Sequence, residues 1–307
     1  MIKKDHKQKF KRVLFGMNFV DGLFYKTMIY ILLISFSYIY LYPLLYMLTN
    51  SFMGSADLVN DGVKWIPTKL NFSNYKQAWQ VLDIAKSFFG TTGYVLKVSL
   101  LSTISSALIG YGFARFDFPF KKLLFILMLA TFILPNQVTM SSNLLILRKL
   151  GLIGSQSAMT YPALFGQGIN SAIFILIFYQ FFKTIPSVLM ESAEVDGAGE
   201  FKIFYKIAIP LAIPSIIIVF LFSFVWYWNE TYLTGLYTGT QLTLPLKLMS
   251  FRSTYETLFP PGSAGAALNE GVVLAGNMLV ILPLLVLYFL GQKHFTESID
   301  RTGITGE

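Results

Sequence analysis

Four carboxylates, Glu191, Glu194, Asp196 and Glu200, fall within one ten-residue stretch of this 307-residue chain, with Lys202 and Lys206 just behind them. Taken singly they are solvated charges, and the residues that would turn such a group into an active site are missing. There is no cysteine, which excludes disulfides, thiolate catalysis and cysteine-held metals. The two histidines, His6 and His294, stand near opposite ends, poor material for a Ser-His-Asp triad or a histidine-rich metal site. No G-x-x-x-x-G-K-S/T phosphate loop occurs, so ATP is not held here by that device. The sequence therefore assigns no catalytic residue, no metal ligand and no cofactor to this chain.

The elements that must carry these residues are strongly apolar. Hydrophobic residues make up 54% of the chain and charged ones only 13%, against about a quarter in a soluble domain. Crossing the hydrocarbon core takes roughly 20 residues of helix. Six apolar runs read as spans, the third of them short: Met28–Leu48, Gly93–Ala114, Leu123–Gln137, Met159–Phe182, Leu211–Trp228 and Val272–Leu290. The first is too long for a signal-peptide core and lacks a small-residue cleavage site, so it reads as retained. Pro43, Pro135, Pro162, Pro214 and Pro283 punctuate the runs and predict helix ends or packing kinks. Ser102, Ser106 and Gly110 recur every four residues, a stripe that lets another helix approach closely.

The fold class is thus an all-α membrane protein of six transmembrane helices. With the N-terminus cytoplasmic, inner segments hold 15 basic residues and outer segments 8, with Lys97 left inside the second span. The bias rests mainly on the cluster between Lys3 and Lys26, while Arg148 and Lys149 fall on the wrong side. An even number of spans returns the C-terminus to the cytoplasm. The net charge of +8 follows these flanks, which argues for a bilayer and against nucleic acid. Residues 1–26 form a basic N-terminus in which Val13–Phe24 suits an interfacial helix, residues 27–291 form the membrane domain, and 292–307 form a tail. Two outer segments, 50–91 and 231–270, are long enough to serve a docking protein, and a short helix is expected from Ser73.

The acidic stretch lies on the inner side, in the segment Thr184–Pro210, which reads TIPSVLMESAEVDGAGEFKIFYKIAIP. Pro186 suits a first helical turn, and Gly197 and Gly199 stop that helix. A second short helix follows with Phe201, Phe204, Ile207 and Ala208 on one face, and Pro210 separates it from the fifth span.

These residues resemble the EAA motif of ATP-binding-cassette importer permeases, E-A-A-x3-G-x9-I-x-L-P. Here Glu191-Ser192-Ala193 is followed after three residues by Gly197 and after nine more by Ile207-Ala208-Ile209-Pro210. Ser192 replaces Ala and Ile209 replaces Leu. Gly110-Tyr111-Gly112-Phe113-Ala114-Arg115-Phe116-Asp117-Phe118-Pro119 looks like the G-Y-A-F-A-R-F-x-F-P-G stretch of carbohydrate-type permeases, with Phe120 in place of the last Gly. Leu150-Gly151-Leu152, Trp228-Asn229-Glu230 and Trp65-Ile66-Pro67 with Asn74-Tyr75 also fit. The likeness runs from about residue 28 to 291 and is strongest to the second permeases of maltose-type sugar importers. The tail Thr302-Gly303-Ile304-Thr305-Gly306-Glu307 departs from the family's ending, which puts a tail contact with the ATPases in doubt.

The resemblance implies a type I importer permease fold and a coupling role for Glu191, Ser192, Ala193, Asp196, Gly197, Ala198, Ile207 and Pro210. Glu191 would pair with a basic or amide group on an ATPase subunit, and Gly197 would make the turn. It further implies a second permease, two ATPase subunits that hold ATP and Mg, and an extracellular substrate-binding protein, all at the cell membrane. A sugar or oligosaccharide is the implied cargo, with a non-sugar solute left open.

Polar groups within spans are the candidates for lining a solute path. They are Gln167 and Asn170 in the fourth span, Tyr227, Trp228, Asn229 and Glu230 at the outer end of the fifth, and Asn277 in the sixth. An interfacial aromatic belt explains Tyr227 and Trp228 as well as sugar stacking does. Asn136 and Gln137 would cap the third span. An ion-coupled secondary transporter is the first rival, but the spans hold essentially only Lys97 as an ionisable group. A membrane scaffold is the second.

Overall fold

A computed structural model describes residues 22–239, 243–263 and 265–301, with side chains up to Gln292. Most of the basic N-terminus and its expected interfacial helix, and the tail Thr302–Glu307, lie outside the described residues. Regular structure among the described residues is entirely helical. By contact the chain divides into two compact units, residues 1–78 with 269–278, and residues 79–268 with 279–307.

In the first unit, α1 (Leu23–Ser51) is a 29-residue helix, continuous through Pro43. A single turn, α2 (Ser55–Leu58), follows, and α3 starts at Ser73 and runs to Leu82, its last turn from Trp79 counted with the second unit. Buried Asn74 ties the two stretches together: its Nδ2 donates to the carbonyls of Ser51 and Met53 at 2.9 and 2.8 Å. Asp57 accepts from the Thr68 amide at 3.0 Å and from its hydroxyl at 2.6 Å.

The second unit is built on α4 (Ile84–Arg115), 32 residues long. It is followed by α5 (Lys121–Ile133), α6 (Asn136–Lys149), α7 (Ser157–Leu164), α8 (Ser171–Thr184), α9 (Ser187–Val195), α10 (Glu200–Ile203), a π turn over Phe204–Ala208, α11 (Ile209–Leu211), α12 (Ile213–Asn229), α13 (Tyr232–Thr238), α14 (Leu244–Met249) and α15 (Phe251–Leu258). The last helix, α16 (Glu270–Arg301), belongs to both units. α4 packs against α7, α8 and α12. The stripe Ser102, Ser106 and Gly110 is the close-approach face: both serines are fully buried, and a Cβ on Gly110 would stand 2.6 Å from Phe178 Cβ.

Three helices, α1, α4 and Glu270–Gln292 of α16, are individually long and apolar enough to cross a membrane, and three bent pairs raise the number to six. Two expected spans differ in shape. The third, Leu123–Gln137, stops at Ile133 and continues as α6 at 106°. Proline lacks an N–H and biases its predecessor away from helix, and Leu134 and Pro135 are both extended, with ψ of 122° and 139°. The fourth, Met159–Phe182, is two helices separated between Leu164 and Ser171, where Gly166 and Asn170 have φ of +70° and +56°. Asn136 and Gln137 do not cap the third span; they open α6, which has no side-chain cap.

Candidate functional site

The segment Thr184–Pro210 is held by its own geometry. α8 and α9 meet at 72°, with Pro186 as the N-cap of α9. Gly197 ends α9 in the left-handed region at φ +77°. Its N–H donates to Glu194 O and that of Ala198 to Ala193 O, both at 2.9 Å, the paired bonds of a Schellman turn. Extended Gly199 then starts α10. The π turn that follows is explained by Pro210, which has no N–H for the carbonyl four residues back and whose ring would crowd it. In the wider turn the Ile209 N–H donates to Phe204 O, five residues back. The change of direction into α12, 76°, falls at Ala212 rather than at Pro210.

One face of this segment belongs to the core. Met190, Ile203, Ala208 and Ala212 are buried in a cluster with Tyr111, Phe178 and Phe182, and Ala193, Ala198 and Ile207 pack against it. The Tyr111 ring lies 5.3 Å from Phe182 and 4.8 Å from Phe204. Phe201, expected on the inward face, is instead 79% exposed, and Ile203 takes the inward place. The π turn rotates the residues before it relative to those after it. Arg115, the last residue of α4, forms an ion pair with Glu194 and lies 3.8 Å from Glu200.

The other face is open. Glu191, Ser192, Asp196, Gly197 and Pro210 are exposed, among them Val188, Val195 (89%) and Tyr205. The eight coupling candidates are thus spread from α9 to α11, five outward and three leaning on the core. Sequence reasoning placed Tyr111 and Arg115 in a family-like stretch but assigned them no role at this segment, and did not single out Met190 or Ile203. The available signal was the spacing of Tyr111 and Arg115, one helical turn apart at the end of an apolar run.

A second feature of the same unit gathers polar side chains. Between α6, α7, α13 and the break after Leu164 lies a cavity of about 400 Å³, and beside it one of about 420 Å³. Asn136, Thr139, Asn143 and Gln167 line both; Asn170 and Gln137 line the second. Tyr227 lines the first and supports the break, its hydroxyl accepting from the Ile169 N–H at 3.0 Å. The remaining candidates do not join them. Trp228 is 1% exposed and stacked on Phe224 at 5.8 Å, lining neither cavity. Asn229 Nδ2 donates to Val225 O at 2.9 Å, and Glu230 Oε1 accepts from the Leu233 N–H at 2.6 Å at the start of α13. Asn277 is half-buried on α16 and belongs to the first unit.

Residues 103–301 match the family model described as the binding-protein-dependent transport system inner membrane component. The chain belongs to this family. It is accordingly a membrane permease, the component of such systems distinct from their ATPases. Among its relatives is the arabinooligosaccharides transport system permease protein AraQ of Halalkalibacterium halodurans, 26% identical over 88% of this chain and 93% of that protein. The polygalacturonan/rhamnogalacturonan transport system permease protein YtcP of Bacillus subtilis is 28% identical over 92% of this chain and 98% of that protein. The fold matches, with a TM-score of 0.71 and 21% identity over 89% of this chain and 96% of the other, a chain in the crystal structure of a bacterial ABC transporter involved in the import of the acidic polysaccharide alginate.

Proposed function

We propose that this permease pairs with a second permease and is driven by two separate ATPase subunits that grip the exposed face of Thr184–Pro210. ATP and Mg are held on those subunits and not on this chain. Both termini lie in the cytoplasm, and an extracellular binding protein delivers a sugar or oligosaccharide to the opposite face. The observation that carries this reading is the construction of the segment: Glu191 on α9 and Gly197 in the turn after it stand outward, while the inner side of the helix pair is fixed into the core through Met190 on α9 and Ile203 on α10. A short helix pair fixed in this way transmits rigid-body motion, whereas a loose loop would absorb it. The relatives that import saccharides support the cargo class.

The test is site-directed crosslinking in the assembled complex. The chain has no cysteine, so Ser192→Cys gives a unique reporter. Crosslinking of that position to an ATPase subunit, with a yield that changes on nucleotide binding, is the expected result. Labelling from the outside of intact cells would overturn the orientation and the coupling role together.

A further inference from the structure

We infer that the joined cavities beside the α7–α8 break form a cargo-contact site on this permease that accepts uncharged polyhydroxylated ligands and rejects acidic ones. The inference rests on the importer reading above and adds a site and a charge class to it.

Three observations carry it. The first is where the cavities lie. Helix is interrupted from Phe165 to Asn170 within an otherwise apolar run. In a membrane protein, non-helical backbone is tolerated where it is buried in protein or lines a wet cavity. Here it lines one, with Gln167, Gly168 and Asn170 among its walls.

The second is what the walls offer. Asn136, Gln137, Asn143, Gln167 and Asn170 are five carboxamides converging on the two cavities, joined by the hydroxyls of Thr139 and Ser171. A carboxamide presents both a donor and an acceptor, and so does a sugar hydroxyl, so each can satisfy the other in both directions. A volume of about 400 Å³ in each cavity falls within the range of small-molecule sites.

The third is what the walls withhold. Neither lining set contains Lys, Arg, His, Asp or Glu. An ionised carboxylate entering such a site would give up part of its hydration with no opposite charge on this chain to meet it. A neutral oligosaccharide meets no such penalty. The apolar side of the first cavity, with Tyr161, Phe165 and Tyr227, suits the less polar faces of sugar rings.

The experiment uses the complete transporter, permease pair with ATPases, in lipid nanodiscs. Asn143→Cys and Thr139→Cys are separate single reporters in the cavity, and Thr257→Cys, exposed on α15, is the control. Thiol-reagent labelling is timed with arabinotriose, maltotriose or trigalacturonate present. At a saccharide concentration about ten times its Kd, labelling of an occupied site slows about tenfold. The expected result is that slowing with at least one neutral trisaccharide, at one or both cavity positions. Trigalacturonate should leave the rate unchanged, and the control position should respond to none.

Equal protection by trigalacturonate would mean a cation from the partner permease faces the cavity and would overturn the inference. So would the absence of protection by all three sugars. Stimulation of ATP hydrolysis by the binding protein is measured on the same preparation. If stimulation is present without protection, the site falls and the importer reading stands. If no stimulation occurs in any preparation, the importer reading itself fails.

Discussion

The guanidinium of Arg115, at the C-terminal end of α4, is paired with the carboxylate of Glu194 on α9 and lies within 3.8 Å of Glu200 on α10. One cation therefore bridges the two short helices of the Thr184–Pro210 segment and fixes both to the longest helix of their unit. Glu194 and Glu200 are each more than two-fifths exposed, so solvent screens the attraction, and pairs of this kind contribute about 0–1 kcal/mol. The value of the bridge lies in geometry.

Replacing Arg115 should therefore uncouple more than it unfolds. Arg115→Ala is expected to shift the melting temperature of the purified permease little, while the ratio of solute transported to ATP hydrolysed falls severalfold. Arg115→Lys should not restore that ratio, because a single ammonium lacks the planar fork that faces two carboxylates. Uptake and ATPase rates measured on the same proteoliposomes check this. A large melting shift with normal coupling would show the pair to be a stability feature only.

Gly197 separates the cost of a backbone conformation from the cost of a blocked surface. Its φ of +77° disfavours any L side chain, by about 1–2 kcal/mol. A Cβ there would meet no other atom of this chain within 4 Å. Gly197→Ala should consequently insert and fold, with at most partial loss of uptake. If the exposed face receives an ATPase subunit, Gly197→Asp and Glu191→Lys should abolish uptake while membrane insertion is unchanged, because the altered group would meet that surface. Uptake assays with quantified membrane levels of each variant decide it, and normal transport by either of the last two would refute the docking role.

Much of this arrangement was legible in the sequence, and the exceptions have definite causes. Hydropathy located the apolar runs because burial in hydrocarbon demands them. It could not show that the chain turns by 106° after Ile133 or that the fourth run is broken, since apolar content says nothing of backbone direction. Pro135 and the Gly166-Gln167-Gly168 sequence were the local marks of those breaks. Glu191 and Gly197 could be found because they occupy positions of the resembled EAA motif. Arg115 could not, because its partner Glu194 is 79 residues away, and pairing at that distance has no periodicity. Trp228 illustrates the opposite error. An aromatic at the end of a span suits either a sugar platform or an interfacial belt, and the packing of Trp228 against Phe224 in the interior matches neither.

The close approach of α4 and α8 rests on a missing methyl group. At Gly110 a Cβ would lie 2.6 Å from Phe178 Cβ and 3.0 Å from the Ile175 carbonyl oxygen, neither of which can move without shifting α8. Gly110→Ala should lower stability by about 1–3 kcal/mol, the usual cost of overpacking. Gly112→Ala, two residues on with nothing within 4 Å, provides the comparison and should be neutral or slightly stabilising. Thermal denaturation of the two purified variants in one detergent tests the contrast. Equal behaviour would place the helix contact elsewhere.

Ile203 and Phe201 lie two residues apart and face opposite ways, so their truncation should produce opposite phenotypes. Ile203 is completely buried in the cluster that holds the segment, and Ile203→Ala would leave a cavity costing about 2–5 kcal/mol. Its expected signature is a lower melting temperature with weakened coupling as a consequence. Phe201 is 79% exposed, so Phe201→Ala removes little from the folded permease, and its melting temperature should not change. If the exposed face receives an ATPase subunit, the same substitution should weaken retention of that subunit during affinity purification, as loss of an aromatic anchor does at protein interfaces. Melting and subunit retention measured on both variants form a two-by-two comparison. The coupling assignment requires the two readouts to separate: Ile203→Ala moving the first and Phe201→Ala moving the second. Were Phe201→Ala to leave retention intact together with Val195→Ala, the exposed face would face lipid or solvent, and the force from ATP hydrolysis would have to enter the permease by another route.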